Sequence, residues 1–230
     1  MKKLVVLTGA GMSAESGLKT FRDADGLWEG HDVMKVASPQ GWQRDRDLVL
    51  EFYNQRRRQL LEASPNKAHE AIAAAETHFE ITVITQNIDD LHERAGSTNV
   101  LHLHGELFKV RSTGDPDLVY PWKKDLHPGD LCEKKHQLRP HIVWFGEDVP
   151  MMTTAIEEVL TADHLLIVGT SMTVYPAASL MQYARPKTSV FYVDPRPALS
   201  AAANRDLHII SENATTGVPI VLERLTRTSP

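Results

Sequence analysis

Short hydrophobic runs alternate with longer amphipathic stretches along the chain. The runs are rich in valine, isoleucine and leucine, which is typical of buried strands. Strands are predicted at residues 4–7, 80–85, 100–104, 142–145, 164–168, 190–193 and 208–210. Helices are predicted at 40–62, 64–75, 151–161 and 219–225, with a further short one beginning near Asp89, and residues 12–15 can open another. This alternation predicts an α/β fold built on a doubly wound parallel sheet.

The length of 230 residues is sufficient for one full core and a small insertion. We expect a single domain whose core comprises about residues 1–30, 80–104 and 142–230. A helical insertion would cover residues 31–79. A second, smaller insertion would cover about residues 108–141, because most of that stretch lacks periodicity and is rich in Asp, Pro, Lys and His.

A glycine-rich turn follows the first predicted strand. Gly9, Gly11 and Ala14 fit the spacing G-x-G-x-x-G/A, with Ala10 inside the turn. A glycine turn between a strand and a helix N-terminus suits the pyrophosphate of a dinucleotide, as in Rossmann-like folds. The same spacing also fits a tight turn that binds nothing, and no acidic residue is evident at the end of a second strand ~20 residues on. The phosphate hypothesis therefore depends on other parts of the chain.

Polar or glycine-containing clusters follow four of the predicted strands. They lie at residues 8–13, 86–89, 104–105 and 169–171. Ligands of doubly wound sheets bind at the carboxyl ends of the strands, so the clusters predict one common site.

Charge and composition exclude several classes of protein. With 25 Lys and Arg against 30 Asp and Glu, the net charge is −5, and a nucleic-acid partner is not expected. The apolar runs are too short to cross a bilayer, and the N-terminus leads into a strand instead of a signal peptide, so we expect a cytoplasmic protein without a membrane partner. Cys132 is the single cysteine, which excludes an internal disulfide and a four-cysteine zinc site in this chain.

Five motifs together resemble the sirtuin family of NAD-dependent protein lysine deacylases. They are Gly-Ala-Gly-Met-Ser at 9–13, Thr-Phe-Arg at 20–22, Gln-Asn-Ile-Asp at 86–89, His-Gly at 104–105 and Gly-Thr-Ser at 169–171. The resemblance covers nearly the whole chain and implies NAD as the cofactor and acylated-lysine proteins or peptides as partners. In this family the acyl oxygen of a modified lysine attacks C1′ of the nicotinamide ribose. The products are nicotinamide and O-acyl-ADP-ribose.

The resemblance also implies roles for individual residues. His104 would be the general base, for which an ordinary histidine pKa of about 6.5 is suited. Asn87 would bind the ribose and a water molecule, Gln86 a ribose hydroxyl, and Asp89 the nicotinamide carboxamide. Arg22 would meet phosphate charge.

Further residues would complete the NAD site. Phe21 would shield C1′ from water, although a core position suits this residue nearly as well. Ser13, Thr170 and Ser171 would contribute hydroxyl groups beside the glycines at 9, 11 and 169. Asp194 stands where many relatives have an asparagine, and it could accept ribose hydroxyls instead.

A second group of residues is predicted to bind the acylated lysine. The strand at 142–146 resembles the one to which the substrate peptide adds in this family, and its candidate residues are Val143, Trp144, Phe145 and Gly146. Tyr53 and Arg56 share a helix face and resemble the pair that selects succinyl, malonyl and glutaryl groups. This pair would still allow acetyl-lysine to bind. The next two arginines, 57 and 58, are predicted to be exposed.

The zinc module of the family is one point at which this chain departs from the pattern. Most sirtuins hold a structural zinc with four cysteines where this chain has residues 112–141. His127, Cys132, His136 and His141 have no standard zinc spacing, so zinc is not expected and the module would rest on Leu118, Tyr120, Trp122 and Leu131.

The alternative function is that of an ADP-ribosyltransferase, an NAD hydrolase, or a module that only binds NAD or ADP-ribose.

Overall fold

The described strands form one large parallel sheet, a three-stranded antiparallel sheet and a two-stranded antiparallel sheet. The computed structural model describes residues 1–19, 27–28, 30–198 and 206–228. The strands are β1 (Lys2–Thr8), β2 (Leu27–Trp28), β3 (His31–Asp32), β4 (Phe79–Thr85), β5 (Val100–His102), β6 (Gly105–Ser112), β7 (Val119–Pro121), β8 (Leu138–Ile142), β9 (His164–Val168), β10 (Ser189–Val193) and β11 (Leu207–Ile210). The α-helices are α1 (Val33–Val36), α2 (Pro39–Arg44), α3 (Arg46–Glu62), α4 (Lys67–Ala75), α5 (Leu91–Ala95), α6 (Met152–Thr161) and α7 (Ala214–Thr228).

The large sheet confirms the predicted doubly wound architecture. Its order is β11-β10-β9-β1-β4-β5, and every neighbouring pair is parallel. From the central β1 the chain proceeds to β4 and β5 on one side, and later from β9 to β11 on the other. The carboxyl ends of β1 and β9 therefore flank the switch point, where such sheets bind ligands.

Side chains of β1 alternate between two hydrophobic layers. Leu4 and Val6 pack in a cluster with residues of α4 and α7, whereas Val5 and Leu7 pack with residues of α6 and of a 3-10 helix at Ala177–Tyr183. All four are fully buried. The period of two along a strand explains why a continuous apolar run is needed here.

A third hydrophobic cluster joins α3 to the small sheet, whose order is β7-β6-β8. Phe52 and Leu60 of α3 pack in it with Val110 of β6 and with Leu126. Arg57 also lies in this region, fully buried, so the prediction that it is exposed is wrong. Its Nε donates to the Leu107 carbonyl at 3.1 Å, which satisfies part of the buried guanidinium.

Helix boundaries differ from the predictions where capping residues intervene. The predicted helix at 40–62 is two helices, because Asp45 ends α2 and its carboxylate accepts the Leu48 N–H at the start of α3. The helix predicted at 64–75 begins at Lys67, because Asn66 caps α4 and its side chain accepts from the N–H groups of Ala68 and His69. The last helix, α7, begins five residues before Pro219, which lies inside it.

Two predicted elements near the switch point are less regular than expected. Residues 12–15 contribute to two short 3-10 helices instead of one α-helix. Strand β8 ends at Ile142, so residues 143–145 are not a strand. The chain turns there because Trp144 N–H donates to the Glu147 carboxylate and Gly146 has a left-handed φ of 90°.

The small insertion packs through a set of residues that differs from the predicted one. Leu118, Tyr120 and Trp122 contact the third cluster as expected, but Leu131 is 50% exposed. Cys132 is buried, and its thiol donates to the Ser112 hydroxyl at 3.3 Å.

This module does not fit a four-cysteine zinc site. Within the described residues no three His, Cys, Asp or Glu side chains cluster closely enough to hold a metal ion. A zinc-free module stays a prediction.

Within the described residues, no helix is both long and apolar enough to cross a membrane.

Candidate functional site

The turns after β1 and β9 pack directly against each other at the switch point. The Gly9 N–H donates to the Val168 carbonyl at 3.0 Å, and the Gly11 N–H donates to the Gly169 carbonyl at 2.8 Å. A Cβ on Gly11 would lie 2.6 Å from Gly169 Cα, closer than real Cβ contacts allow. The glycines are thus required for the contact between the two turns, a reason that the nucleotide motif alone does not reveal.

A cavity of about 440 Å³ opens at these turns and extends toward α3. All of the predicted site residues that the structure describes line it. They are Gly9, Ala10, Gly11, Ser13, Tyr53, Arg56, Gln86, Asn87, Asp89, His104, Val143, Trp144, Phe145, Gly146, Gly169, Thr170, Ser171 and Asp194. Phe21 and Arg22 lie outside the described residues. The predicted residues that are described thus lie on one surface, and the role of each residue stays a prediction.

Ser13, Asn87 and Asp89 form a buried hydrogen-bonded group on one wall of the cavity. The Ser13 hydroxyl donates to Asp89 Oδ2 at 2.9 Å, and the Asn87 amide donates to Ser13 Oγ at 3.2 Å and to the Gly9 carbonyl at 3.1 Å. Burial raises the pKa of Asp89 to about 6, although the hydrogen bonds from Ser13 and from the Leu91 N–H act to lower it. Asp89 can therefore change its charge in the range in which many enzymes work.

His104 follows β5 and faces the same cavity. Its Nδ1 lies 3.0 Å from the Gln86 carbonyl oxygen. Because a carbonyl only accepts hydrogen bonds, Nδ1 carries the proton, and in the neutral ring Nε2 keeps its lone pair. Burial lowers the pKa of His104, against the effect of this hydrogen bond. The imidazole is therefore a neutral acceptor at neutral pH, which is what a general base requires.

The side of the cavity under β9 and β10 contains further polar groups. The Gln86 amide donates to Thr170 Oγ1 at 3.1 Å, and the Tyr192 hydroxyl donates to the Thr170 carbonyl at 2.8 Å. Ser171 Oγ is 2.6 Å from the Thr173 hydroxyl. At the end of β10, the buried Asp194 accepts the Arg196 N–H at 2.9 Å.

The opposite end of the cavity is aromatic and is fixed by an ion-pair network. The Trp144 indole N–H donates to the Tyr53 hydroxyl at 3.0 Å, and both side chains are buried. The Arg139 guanidinium lies 3.3 Å from the centre of the Trp144 ring. Glu147 accepts from Arg139 and Arg111 as well as from the Trp144 backbone.

Arg56 lies beside Tyr53 at this aromatic end and is only 7% exposed. It donates to the Phe52 carbonyl at 2.9 Å, and its guanidinium carbon is 4.0 Å from the centre of the Phe52 ring. A guanidinium on the wall of a cavity can form charge-assisted hydrogen bonds to a carboxylate. Tyr53 donates to no group in the described part of the chain, so its O–H is available to the same partner.

Sequence reasoning missed several residues that line this cavity. Trp28 packs edge-on against Phe52 with ring centres 5.0 Å apart, and Tyr175 reaches the cavity from the segment after β9. Asn213 and Ala214 line it at the start of α7, near Glu15, whose carboxylate accepts the N–H and hydroxyl of Thr215. The predicted start of α7 at Pro219 left Asn213 and Ala214 outside the end of the helix. No local sequence pattern marks Trp28 or Tyr175 as cavity residues.

The parallel sheet and the cavity at its switch point define a doubly wound, Rossmann-like α/β protein. The model of the Sir2 family matches residues 9–176. The chain belongs to the Sir2 family.

Relatives and solved structures extend the similarity over nearly the whole chain. It is 57% identical to an NAD-dependent protein deacylase of Helicobacter pylori, with 98% of both chains covered. It is 51% identical to an NAD-dependent protein deacylase of Bacteroides thetaiotaomicron, with 95% of both covered. A Sir2 homologue in complex with NAD is 39% identical and superposes with a TM-score of 0.87, over 98% of this chain and 90% of the other. A Sir2 protein bound to an acetylated peptide is 27% identical, with a TM-score of 0.79 over 96% and 92%.

Proposed function

We propose that this protein is an NAD-dependent protein lysine deacylase that prefers acidic acyl groups such as succinyl and malonyl and also accepts acetyl. The observation that carries the proposal is the single cavity that contains a nucleotide-type switch point at one end and the Tyr53, Arg56 and Trp144 cluster at the other. His104 lines the cavity with them. The names of relatives at 51–57% identity support the same activity.

The residues present fit NAD in size and in chemistry. The cavity is lined by the turns after β1 and β9, by Asp194 after β10 and by the start of α7, so it can take an extended dinucleotide. The N-terminus of α7 favours negative charge, and Asp194 can accept ribose hydroxyls. When bound, NAD supplies a ribose carbon that becomes reactive as nicotinamide leaves.

The chain's own residues would bind and activate the reactants. Ionised Asp89 would accept a hydrogen bond from the carboxamide of the nicotinamide, and Asn87 and Gln86 would bind the ribose. Neutral His104 would take a proton from a ribose hydroxyl through Nε2, since Nδ1 is already bonded to the Gln86 carbonyl. Burial keeps His104 neutral and ready for this step.

The aromatic end of the cavity supports the preference for acidic acyl groups. A carboxylate at the tip of a succinyl group would gain a charge-assisted bond from Arg56 and a hydrogen bond from Tyr53. Trp144 and Phe145 would line the path of the lysine chain, and the backbone near Val143 and Gly146 would contact the peptide. Such a pair adds a contact without closing the tunnel to acetyl-lysine.

The test measures peptide mass and acylated ADP-ribose by mass spectrometry, with purified protein, NAD and matched succinyl-lysine and acetyl-lysine peptides. Arg56→Met should lower the ratio of succinyl to acetyl turnover about 10- to 100-fold, because a hydrogen bond to a charged group contributes ~1.5–3 kcal/mol. Arg58→Met is the matched control. Arg58 lies on the same helix but is 49% exposed and pairs with Glu51 and Asp125. Its substitution should leave the ratio unchanged.

The outcomes separate the two parts of the proposal. An unchanged ratio in the Arg56 variant would contradict the acyl preference but leave the deacylase activity standing. Release of nicotinamide with both peptides unchanged would instead support an NAD hydrolase or an ADP-ribosyltransferase. Binding of NAD without any turnover would support a binding module.

A further inference from the structure

Two histidines contact two consecutive carbonyls in the segment that follows β4. His104 Nδ1 lies 3.0 Å from the Gln86 oxygen, and His102 Nδ1 lies 3.3 Å from the Asn87 oxygen. Both rings must donate, because a carbonyl can only accept. Residues 86–90 have no regular secondary structure. Backbone hydrogen bonds hold Gln86 to Thr8 and Ile88 to Leu107, whereas the carbonyl of Asn87, which lies between them, accepts from His102.

His102 is itself fixed by a carboxylate on α5. Its Nε2 lies 2.7 Å from Glu93 Oε1, and its side chain is only 9% exposed. Burial acts to lower the pKa of His102, but the hydrogen bond and charge of Glu93 raise it above the ordinary histidine value. The other charged or titratable groups that face it are Glu106, which is paired with Lys109, and Asp89 and His92.

The contact of His102 continues into the proposed NAD site. The backbone oxygen of Asn87 accepts from His102, while the side chain of the same residue donates to Gly9 and Ser13. Ser13 in turn donates to Asp89. A displacement of the Asn87 backbone would therefore break several of these bonds together. His102 is not among the residues that line the cavity in the described chain, so its hydrogen-bonded route to the site runs through Asn87.

We propose that His102, held by Glu93, is a positioning residue that fixes the backbone of Asn87 and so places the Ser13, Asn87 and Asp89 group for NAD. This inference rests on the proposed function, because it assumes that these three side chains bind NAD. It concerns a residue for which the sirtuin resemblance implied no role.

Three substitutions separate the two hydrogen bonds of His102. The amide nitrogen of His102→Asn falls near Nδ1 and can still donate to Asn87. The amide nitrogen of His102→Gln falls near Nε2 and can reach Glu93 but not Asn87. His102→Leu loses both bonds. If the bond to Asn87 is what matters, the Asn variant should retain NAD binding, whereas the Gln and Leu variants should lose it.

The experiment measures the Kd of NAD by calorimetry, kcat and KM with an acyl peptide, and Tm. We expect the Gln and Leu variants to weaken NAD binding on the order of tenfold, which corresponds to one buried hydrogen bond at about 1.4 kcal/mol, and the Asn variant to stay within about threefold. A matched control is His208→Leu. His208 pairs with Asp206 at 2.9 Å on the edge strand β11 and should not affect NAD.

Each result decides the matter. Equal losses of NAD affinity in the Asn and Leu variants, or no loss in either, would overturn the positioning role. A Tm that falls in all three variants without the predicted order of NAD affinities would show a structural role only. Absence of NAD binding in the unsubstituted protein would instead contradict the proposed function.

Discussion

Ser13→Ala should move the acidic limb of the pH profile of kcat/KM for NAD. The pKa of Asp89 is about 6 because burial raises it, and the hydrogen bond from Ser13 is the strongest influence in the opposite direction. Removing that bond destabilises the carboxylate relative to the neutral acid, so the pKa rises. If activity requires ionised Asp89, activity is present above this pKa and is lost as the pH falls through it.

The size of the shift follows from the contact. A hydrogen bond to a charged group contributes ~1.5–3 kcal/mol, and one pKa unit corresponds to ~1.4 kcal/mol, so the limb should move up by about 1–2 units, from about pH 6 to about pH 7–8. The profile of kcat/KM is the proper measurement because it reports groups of the free enzyme. The position of the limb is also independent of any general loss of activity that the substitution causes.

Ser171→Ala is the matched control. Ser171 lines the same cavity, but its hydroxyl contacts Thr173. Its loss should lower activity without moving the limb. If Ser13→Ala leaves the limb in place while the protein is folded by circular dichroism, the limb does not belong to Asp89. The reasoning about its ionisation would then be refuted, and His104 would be the group to test next.

Three further predictions concern the base and the stability of the fold. His104→Ala should lower kcat by ~10²–10⁴, the usual contribution of a general base, and leave the Kd of NAD by calorimetry within about threefold; normal turnover would exclude the base assignment. His69 is fully buried and its pKa is lowered to about 4 by burial, so the unfolded state binds more protons and stability falls as the pH drops from about 6.5 to 4. His69→Gln keeps a capping side chain at the third position of α4, and urea unfolding at pH 7.5 and 5 should show a smaller acid loss, by up to about 2 kcal/mol; an unchanged loss would assign the sensitivity elsewhere. Asn54→Ala should lower the free energy of unfolding by ~3–5 kcal/mol, because it leaves the Leu126 backbone and Arg57 without their partner, whereas the exposed Gln55→Ala should cost less than ~0.5 kcal/mol; equal effects would contradict this account.

Periodicity and strand ends were sufficient to predict the six-stranded sheet and to bring the polar clusters at its strand ends together, whereas residues such as Tyr53 and Arg56 were predicted only from the family resemblance. The run at 164–168 becomes β9 with the predicted bounds, because a strand buried on both faces must be apolar throughout. Ligand-binding residues of such a sheet lie where strands end, so the clusters after β1, β4 and β9 were identifiable as neighbours before their contacts were known.

Elements that depend on distant partners were not predictable in the same way. Residues 143–145 read as a strand, but the Glu147 carboxylate captures the Trp144 N–H and turns the chain. Pro219 reads as a helix start, since proline is favoured in the first turn, yet it lies inside α7. In the first case a tertiary contact overrides the local strand propensity, and in the second the predicted helix exists but begins five residues before the proline.

Arg56 and Arg57 illustrate why a run of three arginines could not be divided by sequence alone. Successive helix residues point about 100° apart, so the two side chains must leave α3 in different directions. Both are nevertheless buried, because one side of α3 faces the cavity and another side packs against the small insertion. Arg57 donates to Asn54 at 2.7 Å, and Asn54 bonds both backbone groups of Leu126, so the insertion is tied to the same helix that carries the proposed acyl contact. The packing of the insertion thus constrains the position of Arg56, and loosening Asn54 should affect acyl preference as well as stability.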